Sequence, residues 1–288
     1  MNQVDFLDWL ADMHANPKII RKPLVMGVLN VTPDSFSDGG KYISVDAAYD
    51  HAMSMVEQGV DLIDIGAESS RPGAIAISAQ LELDRVMPVI ERIRSAHPIC
   101  ISIDTYKPVV MHDAVQSGAG MINDIYALSY PDSLSMAAKL NVPVCIMHMQ
   151  GTPENMQDNP KYSQNMMHDM HAFFAERIGT CISAGILSKH LLVDPGFGFG
   201  KTQEHNLEMI LNLSEYQRHG MPVVLGVSRK KTVGCWTADS SLIGRRNGGL
   251  ALSVYGIMHG VSVLRTHDVL ETVHAVNLFH AVTQGASS

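Results

Sequence analysis

Leu24–Gly40 reads LVMGVLNVTPDSFSDGG, and its two halves ask for different structures. Leu24, Val25, Met26, Gly27, Val28 and Leu29 form an apolar run of strand length that stops at Asn30. A continuous apolar run bounded by turn residues suits a strand buried on both faces, as in a parallel sheet, although periodicity alone does not separate it from a buried helical segment. The second half is a loop of Thr, Pro, Asp, Ser and Gly with Phe36 as almost its only apolar side chain. Its amide, hydroxyls, two carboxylates and diglycine suit a loop that moves, binds a cation and presents backbone N–H groups.

The first half has counterparts along the chain. Strand-like runs fall at 24–29, 60–65, 99–103, 120–123, 143–147, 191–193, 222–227 and 261–265. Segments of helical period separate most of them: 47–58, 79–94, 108–117, 133–140, 162–184, 205–219, 242–259 and 269–282. Ser44 or Asp46, Ser78 with Glu82 nearby, and Pro131-Asp132 offer cap chemistry. Eight strand–helix repeats match a (β/α)8 TIM barrel, an α/β fold of typically ~250 residues. A doubly wound open sheet is the alternative, but it usually has fewer strands and a phosphate loop after the first. No Pro/Ser/Gly linker divides the chain. The expectation is one barrel domain over 23–288, preceded by an N-terminal extension, 1–22, whose Phe6, Leu7 and Leu10 have helical spacing and would close one end of the core.

Bulk composition narrows the function. The 288 residues are 46% hydrophobic with a formal net charge of -8, which argues against a nucleic-acid or membrane surface. No run reaches membrane-spanning length, and Asp5, Asp8 and Asp12 stand where a secretion signal would be basic. A cytoplasmic protein is expected. Cys100, Cys145, Cys181 and Cys235 lack metal-ligand spacing.

The informative pattern is the polar group at or just past the end of each strand: Asn30; Asp64 with Glu68 to Arg71 beyond it; Asp104; Asn123-Asp124; His148; Asp194; Ser228-Arg229-Lys230; and Arg265-Thr266-His267. In a barrel these ends converge on the rim that holds the active site. An Asp or Asn after one strand is ordinarily a turn former; eight polar strand ends mixing carboxylates, amides and cations are hard to read as eight independent caps. Asp104, Asn123 and Asp194 supply acceptors for a planar heterocycle rich in N–H groups, with Lys230 as donor to a ring carbonyl or nitrogen. Arg71, Arg265 and His267 form a cationic corner suited to phosphate oxygens. Asn30 is a reasonable single protein ligand for Mg²⁺, an ion that completes its shell with phosphate and water. Gly196–Thr202 ends in GKT, but Pro195 occupies the position of the first glycine of a phosphate loop. The glycines are expected to let backbone approach a flat ligand beside Phe197 or Phe199.

MGVLNVTPDSFSDGG, IDIGAESSRPGA, ISIDTYKP, INDI, CIMHMQG, LLVDPGFGFGK, GVSRK and LRTHDV occur in that order, and from about Leu24 onward the chain resembles the bacterial dihydropteroate synthases. The resemblance implies that 23–288 is a pterin-binding barrel. It also implies a Mg²⁺-dependent condensation of 6-hydroxymethyl-7,8-dihydropterin diphosphate with 4-aminobenzoate, by a homodimer, in folate synthesis. In that family the C–O bond to diphosphate breaks first and the amine captures the cationic pterin methylene. By motif position, Asp104, Asn123, Asp194 and Lys230 would hold the pterin, with Arg265 stacked on its face. Asn30 would hold the metal, and Arg71, Arg265 and His267 the diphosphate. Phe36, Ser70, Pro72, Phe199, Ser228 and Lys230 would shape an aminobenzoate site completed by closure of the first two loops, with Thr32 to Gly40 as a lid. Catalysis would rest on Asn30, Ser70, Arg71, Asp104, Lys230, Arg265 and His267.

Two departures stand out. Ser70 replaces the family's common Thr, and 244–249 departs from the usual pattern on the seventh helix. No insertion interrupts Asp194–Lys201, so sulfonamide sensitivity is expected. The rivals are a pterin-binding methyltransferase, which needs no diphosphate corner, and a noncatalytic pterin-binding homologue, which need not keep both loops.

Overall fold

A computed structural model describes residues 1–16, 21–32, 45–163 and 165–284. Phe36 and most of the expected lid lie outside the described residues. Eight parallel strands close a barrel in sequence order: β1 (Leu24–Asn30), β2 (Leu62–Gly66), β3 (Cys100–Asp104), β4 (Met121–Asp124), β5 (Val144–Met147), β6 (Leu191–Asp194), β7 (Val223–Leu225) and β8 (Val261–Thr266). The TIM barrel expectation is met, and β8 pairs with β1 to close it.

Each strand is buried on both faces, which is why its sequence is a run rather than an alternation. Outward side chains such as Ile63, Ile101, Ile122 and Val193 pack against the helices. Inward ones, Leu24, Met26, Leu62, Cys100, Met121, Cys145, Leu192, Val224 and Val263, fill the interior, and Phe6 and Leu10 join that cluster. Those two belong to α1 (Gln3–Ala15), which stoppers the end of the barrel opposite the strand carboxyl termini. Its first turn is fixed by a capping box between Asn2 and Asp5.

The outer helices are α2 (Val45–Glu57), α3 (Ala79–Ala96), α4 (Pro108–Gln116), α5 (Ser133–Leu140), α6 (Met166–Ser183), α7 (Gln203–Leu211), α8 (Lys231–Trp236), α9 (Leu242–Met258) and α10 (Val269–Gln284). Ser78 caps α3 as expected, accepting from the Leu81 amide at 3.2 Å, but Glu82 turns away to a buried ion pair with Lys107. Asp132 precedes α5 in a left-handed conformation and makes no side-chain cap. Two expected helices are shorter. Tyr162 lies ahead of α6, its hydroxyl donating to the Gly200 carbonyl at 2.9 Å, and α7 ends at Leu211, with a 3-10 helix over Leu213–His219. The short α8 is absent from the sequence reading, because six residues carry no apolar period long enough to show. Among the described residues, no helix is long and apolar enough to cross a membrane.

Candidate active site

The carboxyl ends of the strands surround a cavity of about 350 Å³ lined by Ser70, Asp104, Asn123, Ile125, Met147, Asp194, Phe197, Phe199, Gly226, Lys230 and Arg265. Ser70, Asp104, Asn123, Asp194, Phe199, Lys230 and Arg265 are candidates from sequence. Asp104 and Asn123 are register partners on β3 and β4. Asp194 ends β6 and accepts from the Gly196 amide at 2.7 Å. Lys230 lies with its ammonium 4.1 Å from the centroid of the Phe199 ring, a cation–π contact that holds both side chains at the mouth. Ile125, Met147 and Gly226 escape the sequence reading. Ile125 and Met147 are apolar neighbours of Asp124 and His148, and Gly226 follows the end of β7; only the barrel geometry brings them to the cavity.

Arg265 is pinned rather than loose. Its Nε donates to Asp64 Oδ2 at 2.7 Å and its Nη2 to Asp104 Oδ2 at 2.7 Å, so its guanidinium is held by two strands before any phosphate arrives. Burial pushes the Asp104 carboxyl up to about 7 against the opposing pull of Arg265. Burial also lowers Lys230 to about 8, with Arg265 adding to the effect, and raises Asp194. The pocket thus holds charges that burial makes costly, as functional sites commonly do.

Asp64 reads from sequence as a strand-end group, but it sits two residues before the end of β2 and is fully buried. Nor does His148 face the cavity. Its Nδ1 lies 3.0 Å from Lys201 Nζ, and burial followed by the Lys201 charge lowers its pKa to about 2. Lys201 also donates to the carbonyls of Gly196 at 3.0 Å and Phe199 at 3.1 Å, so the lysine of the GKT sequence ties its own loop together. The expectation for the glycines is corrected accordingly. A Cβ on Gly196, at φ +71°, would lie 1.9 Å from the His148 carbonyl oxygen, and one on Gly200 would lie 2.5 Å from that of Gln150. These two admit the neighbouring 148–150 backbone, whereas a Cβ on Gly198 would meet Lys230, at 3.6 Å. Phe197 is buried with its ring edge-on to Trp236, at 5.7 Å between centroids, and both it and Phe199 line the cavity.

The remaining candidates ring the opening. Asn30 ends β1 half-buried. Arg71 and Pro72 are exposed on the loop after β2, which is tied to the loop after β5 by a bond from the Gly73 amide to the Pro153 carbonyl at 2.9 Å. The same loop is anchored from below, since Lys107 Nζ binds Glu68 and Glu82 at 2.5 and 2.6 Å. Ser228 faces the loop after β8. Its hydroxyl accepts from the His267 amide at 3.1 Å and contacts Asp268 Oδ2 at 3.3 Å. Burial, then Arg265 and Arg229, lower the His267 pKa to about 3.

A family model described as Pterin binding enzyme matches residues 26–267, which defines the class of the barrel and its pocket. The chain is 45% identical to the dihydropteroate synthase of Escherichia coli (strain K12) over 259 residues, 90% of this chain and 91% of that protein. It superposes with a TM-score of 0.87 on Yersinia pestis dihydropteroate synthase in a sulfonamide drug complex, at 45% identity, covering 93% of this chain and 96% of that one. Xanthomonas albilineans dihydropteroate synthase with 7,8-dihydropteroate gives a TM-score of 0.83 at 40% identity, covering 94% and 98%. The chain belongs to the dihydropteroate synthases, transferases of folate biosynthesis.

Proposed function

We propose that the cavity takes the pterin ring of 6-hydroxymethyl-7,8-dihydropterin diphosphate, with diphosphate and 4-aminobenzoate meeting at its mouth. What carries this reading is the convergence of Asp104, Asn123, Asp194, Lys230 and Arg265, from five strands or their following loops, on one cavity that Ser70 and Phe199 border. Asp104 and Asp194 accept ring N–H bonds, Asn123 reads the same edge, and Lys230 donates to a ring carbonyl or nitrogen. Arg265 packs against the ring and, with Arg71 and His267, faces the diphosphate. The ammonium–ring contact between Lys230 and Phe199 places the aminobenzoate beside the pterin, with Ser70, Pro72, Phe36 and Ser228 completing that side.

Asn30 fits the metal. Among the described residues no group of three or more His, Cys, Asp or Glu side chains could cage an ion, and one neutral amide beside a diphosphate is a donor set that suits Mg²⁺. Bound Mg²⁺ would neutralise charge on the leaving group. The bond between the pterin methylene carbon and the diphosphate oxygen breaks with its electron pair leaving on oxygen. The carboxylates stabilise the cation that develops. The aminobenzoate nitrogen then bonds to the methylene and releases a proton, with no protein nucleophile engaged.

The absence of an insertion in Asp194–Lys201 supports sulfonamide competition with aminobenzoate; turnover unmoved at sulfonamide far above the aminobenzoate level would refute it. Exposed Leu242, Ile243 and Met258 on α9 with Leu278 and Val282 on α10 support a homodimer through the late helices. Four unpaired cysteines suit the reducing cytoplasm. The deciding measurement mixes the protein with Mg²⁺, the pterin diphosphate and 4-aminobenzoate. Diphosphate release that depends on aminobenzoate is expected, and release that ignores it, or none, rejects the assignment.

A further inference from the structure

Two of the side chains that line the pocket are held by one that does not. Asp64 lies inside β2, in register with Val28 of β1 and Ser102 of β3. It is fully buried. A single oxygen, Oδ2, accepts from Arg265 Nε at 2.7 Å and from Asn123 Nδ2 at 3.1 Å, while the other nitrogen of that bond fork, Arg265 Nη2, goes to Asp104. Two residues earlier on the same face, Leu62 belongs to the apolar interior. Asp64 therefore stands where the barrel changes from apolar filling to polar pocket. Stability alone does not call for a carboxylate there, because an aliphatic replacement of a buried ion pair is often neutral or stabilising.

We propose that Asp64 is a positioning residue that fixes the donor and acceptor pattern with which the pocket reads its heterocycle. A carboxylate only accepts. It obliges Asn123 to turn its NH2 inward, which leaves the amide oxygen and the second N–H to be presented elsewhere. It also holds the guanidinium of Arg265 through Nε, beside the Nη2 bond to Asp104. An asparagine at position 64 could either donate or accept, so the amide of Asn123 would lose its single orientation and Arg265 one of its two anchors. This role for Asp64 rests on the pocket being the pterin site.

The test titrates 6-hydroxymethylpterin, without diphosphate, into the wild type and Asp64→Asn by calorimetry, alone and in an Asn123→Ala background. Thermal unfolding and the KM for 4-aminobenzoate are measured alongside. Asp64→Asn should weaken pterin binding about tenfold or more and leave the aminobenzoate KM within about twofold, while the variant still unfolds cooperatively, at a lower temperature, as the loss of one partner of a buried ion pair requires. Its effect should shrink in the Asn123→Ala background, since the two act as a unit. Pterin affinity within about twofold of wild type overturns the inference, as does an equal loss in both backgrounds. A wild type that does not bind the pterin rejects the pocket assignment and the inference with it. Should Asp64→Asn fail to fold, Asp64→Ser enters the same cycle. Failure of both to fold makes Asp64 a determinant of the fold and also overturns the proposal.

Discussion

Lys201→Met separates two readings of the GKT sequence. As a phosphate ligand, Lys201 would matter to diphosphate and little to folding. The structure makes it the internal tie of the loop between β6 and α7. The side chain is 2% exposed, and its ammonium meets His148 Nδ1, the Gly196 carbonyl and the Phe199 carbonyl at 3.0 to 3.1 Å. Methionine fills a similar volume and supplies no donor, so three buried acceptors lose their partner. Each stranded acceptor costs about 1–3 kcal/mol. Against this, a buried amine is relieved, one whose desolvation already lowers its pKa to about 7. A net loss of about 3 kcal/mol results, in line with breaking other buried charged contacts. For a chain of this size that corresponds to about 6 °C or more in unfolding temperature. Because the loop joins Asp194 to Phe199, affinity for 6-hydroxymethylpterin should fall as well. Scanning calorimetry at pH 7.5 with a parallel pterin titration measures both. An unfolding temperature within about 1 °C of wild type, combined with weakened inorganic diphosphate binding, would refute the reasoning.

His148 accepts from Lys201 and must be neutral to do so; its folded pKa, about 2, lies below that of the unfolded chain, near 6.5. The unfolded state therefore takes up a proton that the folded state refuses as pH falls, and stability drops. Between pH 7.5 and 5 this amounts to about 2 kcal/mol, which His148→Gln should lack; the comparison must be between variants, since Asp104 and Asp124, both raised to about 7 by burial, slope the other way. Gly196→Ala places a Cβ 1.9 Å from a carbonyl oxygen at φ +71° and should cost more than about 2 kcal/mol in urea unfolding; a loss under about 0.5 kcal/mol would mean the 148–150 segment yields freely. Cys235 is exposed, whereas Cys100, Cys145 and Cys181 are buried, with burial raising Cys100 and Cys181 to about 12 and about 11. A colorimetric thiol reagent should titrate one fast thiol in the native protein and four in denaturant.

The strands are legible because a barrel buries both their faces, and Leu24–Leu29 or Val144–Met147 then reads as unbroken apolar sequence. Their polar ends are legible too, since only carboxyl-terminal positions escape the apolar layers. What strand position does not reveal is direction. Asp104 and Asp124 each end a strand, yet Asp104 faces the cavity while Asp124 turns back to accept from the amides of Tyr126 and Leu128 at 2.7 and 2.9 Å. Asp64 is visible as a charge, but its role depends on partners 59 and 201 positions away. His148 and Lys201 look equally available to a ligand in the sequence and satisfy one another in the fold. Gly196 and Gly200 carry the right signal, close approach, but the approaching group is the chain's own backbone.

Charge balance ties the pocket to its chemistry. Asp64, Asp104 and Asp194 meet Arg265 and Lys230, three carboxylates against two cations. Arg265 bridges two of the acids, and Lys230 feels Asp194 and Asp104 without a direct ion pair to either. The pocket holds more carboxylates than cations, in surroundings that resist the charge: burial raises Asp104, to about 7, and Asp194, against the pull of Lys230, Arg265 and Lys201. A ring that donates N–H bonds relieves part of that cost on binding. A ring that becomes cationic when its diphosphate departs relieves more, because the attraction grows as the charge forms and acts through a medium less polar than water. On the proposed assignment of the pocket, this acid would favour the transition state over the bound substrate, the difference that accelerates a reaction. An Asp194→Asn variant, which keeps the hydrogen-bonding shape and removes the surplus, should accordingly lose more in kcat than in pterin affinity. A variant that loses affinity alone would show that Asp194 serves recognition and that the excess charge has no part in bond breaking.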